Sequence, residues 1–331
     1  MSLIDEFLYS KFSTPNVRIV SGVMLILVCL TGSIINSLNF IAIIFRVNKR
    51  DGFLKICGLS SFGNAIVCIG YLCFPVPVMF IQSEPNHWLN AVMGQLIGWF
   101  AWSIAPLSQI LLATNRITAV FFPHLHMKSY KYSPTNLSIT FSLLVALFLF
   151  VVLLPEGCHY LFNRDYLGWI GEVSPCTEIA QDIFLVSMVT IASFTACCSV
   201  LLFVKLFLNT PDHRISSAQI LQRHRKNRRM IIQALVQSFL IIVDSLNSTI
   251  TYNMFPNLFF QFITLSFSMV FLRTVEGFVV FSINSTINTE VKKMVGLKNL
   301  IQVGKTILVP KQSISGQRNQ NQNLNVRRGT S

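Results

Sequence analysis

Apolar residues run along the chain in seven long blocks, at about 19–45, 54–81, 91–120, 136–155, 180–208, 230–252 and 258–283, separated by short polar connections. Each block supplies the roughly 20 residues that an α-helix needs to cross the ~30 Å hydrocarbon core of a bilayer. The division between the last two rests on an uncharged turn at 252–257. Without that turn, 230–283 would be over twice the length of one crossing at about 1.5 Å per residue. The pattern predicts an all-α membrane protein, with a short N-terminus at 1–18 and a seven-transmembrane helix bundle at 19–283. A juxtamembrane segment at 284–310 and a polar tail at 311–331 follow.

Composition strengthens this picture. Mean hydropathy is +0.58, and only 12% of the 331 residues are charged, against about 25% in an ordinary soluble domain. The crossings consume most of the length, which leaves no room for a separate soluble enzyme module. The N-terminal segment carries Asp5 and Glu6 rather than a basic leader. The first span is therefore expected to act as the targeting signal, with no cleaved signal peptide.

Charge gives the blocks a direction. The connections after the first, third and fifth blocks, counted with Lys55, Arg116 and Lys205 at the adjoining block ends, and the tail hold 22 of the 26 Lys and Arg residues. The opposite connections carry Glu84, Glu156, Asp165, Glu172, Glu178 and Asp182 against Arg164 alone. By the positive-inside rule the N-terminus faces outside and the C-terminus the cytoplasm, as an odd number of crossings requires. The net charge of +13 is then a topology signature, and nucleic acid is not an expected partner. Membrane lipids are. In 289–303, Val291, Met294, Val295, Leu297, Leu300 and Ile301 interleave with Lys292, Lys293 and Lys298. This predicts a short amphipathic helix on the inner leaflet, a frayed continuation being the alternative. From 311 onward the Gln, Asn, Ser and Gly content predicts disorder.

The third block closes with Asn115, Arg116, Ala119, Phe121, Phe122 and Pro123. A lone arginine at an inner helix end is ordinarily an anchor that snorkels to headgroups. Here it combines with Gly32 and Asn36 in the first block, Leu59 and Asn64 in the second, and Gln233 and Gln237 in the sixth. Glu276, Gly277 and Asn284 finish the series. In this order and spacing the chain resembles the nematode serpentine chemoreceptors, most closely the class called Srx, over roughly 20–290. The resemblance implies a rhodopsin-like bundle in the plasma or ciliary membrane of sensory neurons. It also implies a small external ligand, a heterotrimeric G protein as partner, and no cofactor. Arg116 becomes the switch residue, beside Asn115 and Pro123. Two departures from the broad rhodopsin-like pattern stand out. Asn115 occupies the place of an acidic residue, and no proline-tyrosine pair lies between Leu272 and Asn284.

Other candidates come from the residues themselves. Arg228 and Arg229 end the basic run before the sixth block; topology and anionic lipid explain them, and contact with a G protein is an additional role. Asp244, Arg273 and Glu276 lie within spans, where charge is costly unless paired or facing a polar cavity. The spacing of Arg273 and Glu276 favours an intrahelical ion pair, serving either as structural glue or as part of a polar switch. Asn36, Asn64, Gln233 and Gln237 are expected to hydrogen-bond between helices. Trp99, Phe100 and Trp102 either wall a pocket or anchor the outer leaflet. Cys158 and Cys176, in the outer connection after the fourth block, are expected to bridge within that connection and close a lid, free thiols being the alternative. Six other cysteines, in or beside apolar spans, read as buried thiols. No zinc, phosphate-loop, dinucleotide or nucleophile-elbow motif is present, and no metal is expected at His124 and His126. The alternatives to a receptor are a transporter or channel lined by Asp244, Arg273 and Glu276, and a receptor-like protein that no longer signals.

Overall fold

The structure, a computed structural model, describes residues 13–46, 51–81, 83–122, 133–208, 218–251, 254–255 and 257–296. The chain forms two units, Met1–Val291 and Lys292–Ser331. Eight helices are described: α1 Pro15–Arg46, α2 Gly52–Phe80, α3 His87–Phe121, α4 Pro134–Val152, α5 Pro175–Leu208, α6 Ala218–Thr249, α7 Leu258–Ile283 and α8 Ser285–Met294. Six of them, α1 to α5 and α7, are long and apolar enough to cross a membrane, whereas the apolar part of α6 is the shorter Ile232–Ser248. The result is an all-α multi-pass membrane bundle with one small β-hairpin.

Local chemistry sets the helix ends. Asp51, Asn86 and Asn257 each accept a hydrogen bond from the backbone N–H three residues on, as N-caps do. The α2 helix breaks at Phe74, ahead of Pro75 and Pro77, where proline cannot donate to the ladder. Asn284 ends α7 with an extended backbone, and its Oδ1 accepts from Thr286 and Ile287 N–H to begin α8. Ile287 and Val291 are buried, and Lys292 and Lys293 are exposed. The helix thus starts four residues before the predicted 289, and the rest of the predicted segment, from 297, lies outside the described residues.

Lipid explains the outer surface. Ile19, Val23, Leu27, Leu30 and Ile34 of α1 are exposed, and α4 buries only Ser142 and Ala146. Inside, helices approach through small residues, as hydrocarbon provides no hydrophobic drive between them. A Cβ on Gly277 would meet the Asn36 side chain at 2.6–2.9 Å. Its absence lets α1 and α7 close together, so that Asn39 Nδ2 donates to Gly277 O at 2.8 Å.

Between α4 and α5 the expected lid is a two-stranded antiparallel hairpin, β1 Tyr160–Asn163 and β2 Gly168–Gly171. Cys158 and Cys176 form a disulfide with Cα atoms 5.3 Å apart. Cys176 is the second residue of α5 rather than part of a loop, because that helix begins at Pro175 and not at 180. Proline suits a first helical turn, where its missing N–H has no partner to lose. The hairpin plugs one end of the bundle. Phe162 and Leu167 enter the core with Tyr71 and Phe74, and Trp169 Nε1 donates to Tyr71 Oη at 2.9 Å. The α6 helix also starts earlier than expected, so 223–229 is helical; Arg, Lys and Gln are good helix formers despite their charge.

Candidate functional site

Three features line the bundle from the hairpin end to the other. At mid-height, a polar junction converges on Glu276 of α7, which is 3% exposed. Its Oε1 accepts from Ser60 Oγ at 2.7 Å, Gln109 Nε2 at 2.8 Å and Gln237 Nε2 at 3.2 Å. Its Oε2 accepts from Asn64 Nδ2 at 3.0 Å and faces Arg273 Nη1 at 3.6 Å. One carboxylate thereby ties α2, α3, α6 and α7 together. Donors to a charged acceptor make the stronger hydrogen bonds, and buried polar groups in a bilayer core need such partners.

Arg273 extends the junction one turn toward the hairpin. Its Nη2 donates to Asp244 Oδ2 of α6 at 2.6 Å, and its guanidinium lies 5.8 Å from the Trp102 ring centroid. Arg273 and Asp244 are both buried. Sequence spacing anticipated the pair with Glu276, yet the shorter contact is the interhelical one to Asp244. Asn36 joins from α1, donating to Gly32 O at 2.9 Å and Arg273 O at 3.3 Å. Gln233 stands apart, its Nε2 donating to Cys57 Sγ at 3.7 Å. Ser60, Gln109 and Asn39 were missed in the sequence, although Gln109 inside an apolar block was a usable signal.

Above the junction lies an aromatic wall. Trp99 and Trp102 are buried and Phe100 is half-buried, so the two tryptophans are interior residues and not leaflet anchors. Trp99 meets Tyr160 of the hairpin at 5.9 Å and Phe184 of α5 at 5.3 Å, both edge to face. Trp102 tilts against Phe184 at 4.4 Å. Trp99 and Phe100 sit in a π-helical turn, Gln95–Ala101, and a second such turn, Ile263–Phe267, interrupts α7 at the same end. Turns of this kind are rare and concentrate at functional sites. Gln95 holds the first in place, donating to Leu153 O at 2.6 Å and Cys158 O at 3.1 Å.

At the far end, Arg116 is 4% exposed, with its guanidinium 5.2 Å from the Phe53 ring centroid. Its Nε and Nη2 have no hydrogen-bond partner among the described residues. Asn115 is half-buried beside it. The Phe53 ring thus covers the Arg116 guanidinium, while Asn115 stands beside it. Arg229 is exposed; Pro123, His124, His126 and the Arg228 side chain lie outside the described residues. A cleft of about 430 Å³ opens near this end between α1, α2 and α4, lined by apolar side chains with Asp51 and Lys55 at its edge. Leu59, Phe62, Ile139 and Leu143 of its lining pack in the same hydrophobic cluster as Phe100.

Comparison with known proteins agrees with this layout. The family described as serpentine type 7TM GPCR chemoreceptor Srx matches residues 26–284. That match takes in the Arg116 end, the Glu276 junction, the aromatic wall and the hairpin. A search of curated proteins finds no match. The matched family is a receptor class and not a catalytic fold. Spanning most of the sequence, the match places the chain in the Srx family of serpentine chemoreceptors.

Proposed function

We propose that this chain is a chemosensory G-protein-coupled receptor with seven crossings, binding a small external ligand and activating a heterotrimeric G protein. The seventh crossing is α6. Its apolar stretch Ile232–Ser248 covers about 26 Å at 1.5 Å per residue, close to the core thickness, and the helix continues beyond it. Oxidising conditions favour the disulfide outside, and the basic connections favour the other end inside. The family supports a place in the plasma or ciliary membrane of sensory neurons.

The observation that carries the mechanism is Arg273, which touches Trp102, Asp244 and Glu276 together. A ligand entering beneath the hairpin meets Trp99, Phe100 and Trp102. Moving the Trp102 ring alters the seat of Arg273, and Arg273 shares Glu276 with Gln237 on α6. The ligand needs only to favour the arrangement in which α6 shifts and Arg116 leaves Phe53. Arg116 and the basic pair Arg228 and Arg229 then meet the G protein.

The test is ligand screening in cells carrying a promiscuous G protein, with surface labelling as the expression control. A responding ligand should lose potency with Trp102→Ala, and its response should vanish when Arg228 and Arg229 are exchanged for Glu. Unchanged responses in both surface-expressed variants contradict the mechanism.

A further inference from the structure

We propose that His87, His159 and Glu172 form a binding site for a zinc-class divalent cation at the hairpin end of the bundle. The three come from separate places in the chain. His87 is the first residue of α3, while His159 and Glu172 flank the hairpin. Tyr160 pairs with Gly171, and Glu172 N donates to His159 O at 2.9 Å. The ladder is thus extended by one rung, and residues opposite each other on antiparallel strands share a face. The disulfide beside them fixes that end of the hairpin.

Their ligand atoms all lie within 4.8 Å of one another. Glu172 Oε1 is 3.1 Å from His87 Nε2, and Glu172 Oε2 is 3.4 Å from His159 Nδ1. Around a four-coordinate zinc with bonds of about 2.0–2.2 Å, ligand atoms stand roughly 3.4 Å apart. A small swing of His87, whose side chain is 62% exposed, closes the set. Among the described residues no other group of His, Cys, Asp and Glu has this spacing.

The support around these atoms points to a ligand. His159 Nε2 lies 2.7 Å from Leu154 O, which orients the ring so that Nδ1 faces Glu172. His159 is 5% exposed, and Nδ1 has no hydrogen-bond partner among the described residues despite facing the carboxylate. A buried imidazole nitrogen aimed at a half-buried carboxylate without a hydrogen bond between them leaves an arrangement that a cation can bridge. Metal-binding imidazoles ordinarily have their other N–H held by a carbonyl or carboxylate in this way. Glu172 Oε2 is held by Gly157 N–H at 2.9 Å and His159 N–H at 3.2 Å, which leaves Oε1 toward His87. Two imidazoles and one carboxylate suit zinc, with a fourth position open to water or a ligand atom, whereas calcium and magnesium prefer oxygen alone. Bound there, the ion links the hairpin to the start of α3, across the entrance to the aromatic wall.

The test is a titration of the purified full chain, disulfide intact, in lipid nanodiscs with zinc, and with cobalt as spectroscopic probe. One site per chain should fill with nitrogen and oxygen ligand bands, free of the thiolate charge-transfer band that the exposed Cys73 and Cys197 would give. His87→Ala, at an exposed position, should weaken binding by tenfold or more. Zinc should raise the melting temperature of the parent chain but not of that variant. Equal binding by both chains, equal competition by magnesium, or no uptake at millimolar zinc overturns the site. So does a cluster that titrates with protons alone.

Discussion

Replacing Glu276 with alanine removes the acceptor on which the polar junction depends. Ser60, Asn64, Gln109 and Gln237 each lose a hydrogen bond, and Arg273 loses one of its two carboxylates. Interhelical hydrogen bonds in membrane proteins average about 0.6 kcal/mol, so four lost donors give about 2.4 kcal/mol. Stripping one partner from a buried ion pair costs about 3–5 kcal/mol. Because Asp244 still holds Arg273 at 2.6 Å, the expected loss is about 2–5 kcal/mol. For a bundle of this size that corresponds to roughly 5–15 °C in melting temperature. The buried thiols Cys29, Cys57, Cys68 and Cys198 allow the assay, since a thiol-reactive dye reports their exposure on heating in detergent. Glu276→Gln keeps the shape and one acceptor oxygen while turning an amide toward amide donors, so it should fall between parent and alanine. A Glu276→Ala protein melting within about 1 °C of the parent would refute the convergence of donors on this carboxylate.

The remaining predictions concern the contacts above, beside and below the junction. Cys158→Ser should cost about 3 kcal/mol, the value for a loop of this length; the double variant with Cys176→Ser should melt no lower, and reductant should bring the parent to the same point. Gly277→Ala drives a Cβ into Asn36 and should cost about 1–3 kcal/mol, partly recovered when combined with Asn36→Ala, by the same melting assay. Phe53→Leu removes the ring over Arg116, worth about 1 kcal/mol; ligand-independent signalling should rise by about fivefold, and a fall would contradict the aromatic restraint.

Much of the bundle could be read in advance because lipid imposes a blunt rule: about 20 apolar residues per crossing. Asp244, Arg273 and Glu276 stood out for the same reason, as charges in hydrocarbon require an explanation. Their partners were less visible. The i,i+3 spacing gives Arg273 with Glu276, but contact with Asp244 depends on how α6 and α7 are rotated, which no local pattern encodes. Ser60 escaped notice because a serine in a span can satisfy itself on its own backbone. The hairpin was hidden because its strands have four residues each and its turn contains no glycine. Asn163 Oδ1 makes the turn by accepting from Asp165 and Tyr166 N–H, and Leu167 takes a φ of 53° while its side chain buries. With the hairpin went the meeting of His87, His159 and Glu172, since only the strand register places them together.

The central claim, that occupation at the hairpin end is transmitted to a G protein at the Arg116 end, is tested most directly by nucleotide exchange. The purified chain in nanodiscs is mixed with a heterotrimeric G protein and the ligand found by screening, and GTP uptake is followed. The account predicts ligand-dependent exchange that disappears in a correctly folded Arg116→Ala variant while ligand binding persists. Exchange that is equal with and without Arg116, or ligand transport or current in vesicles without any G protein, would contradict it.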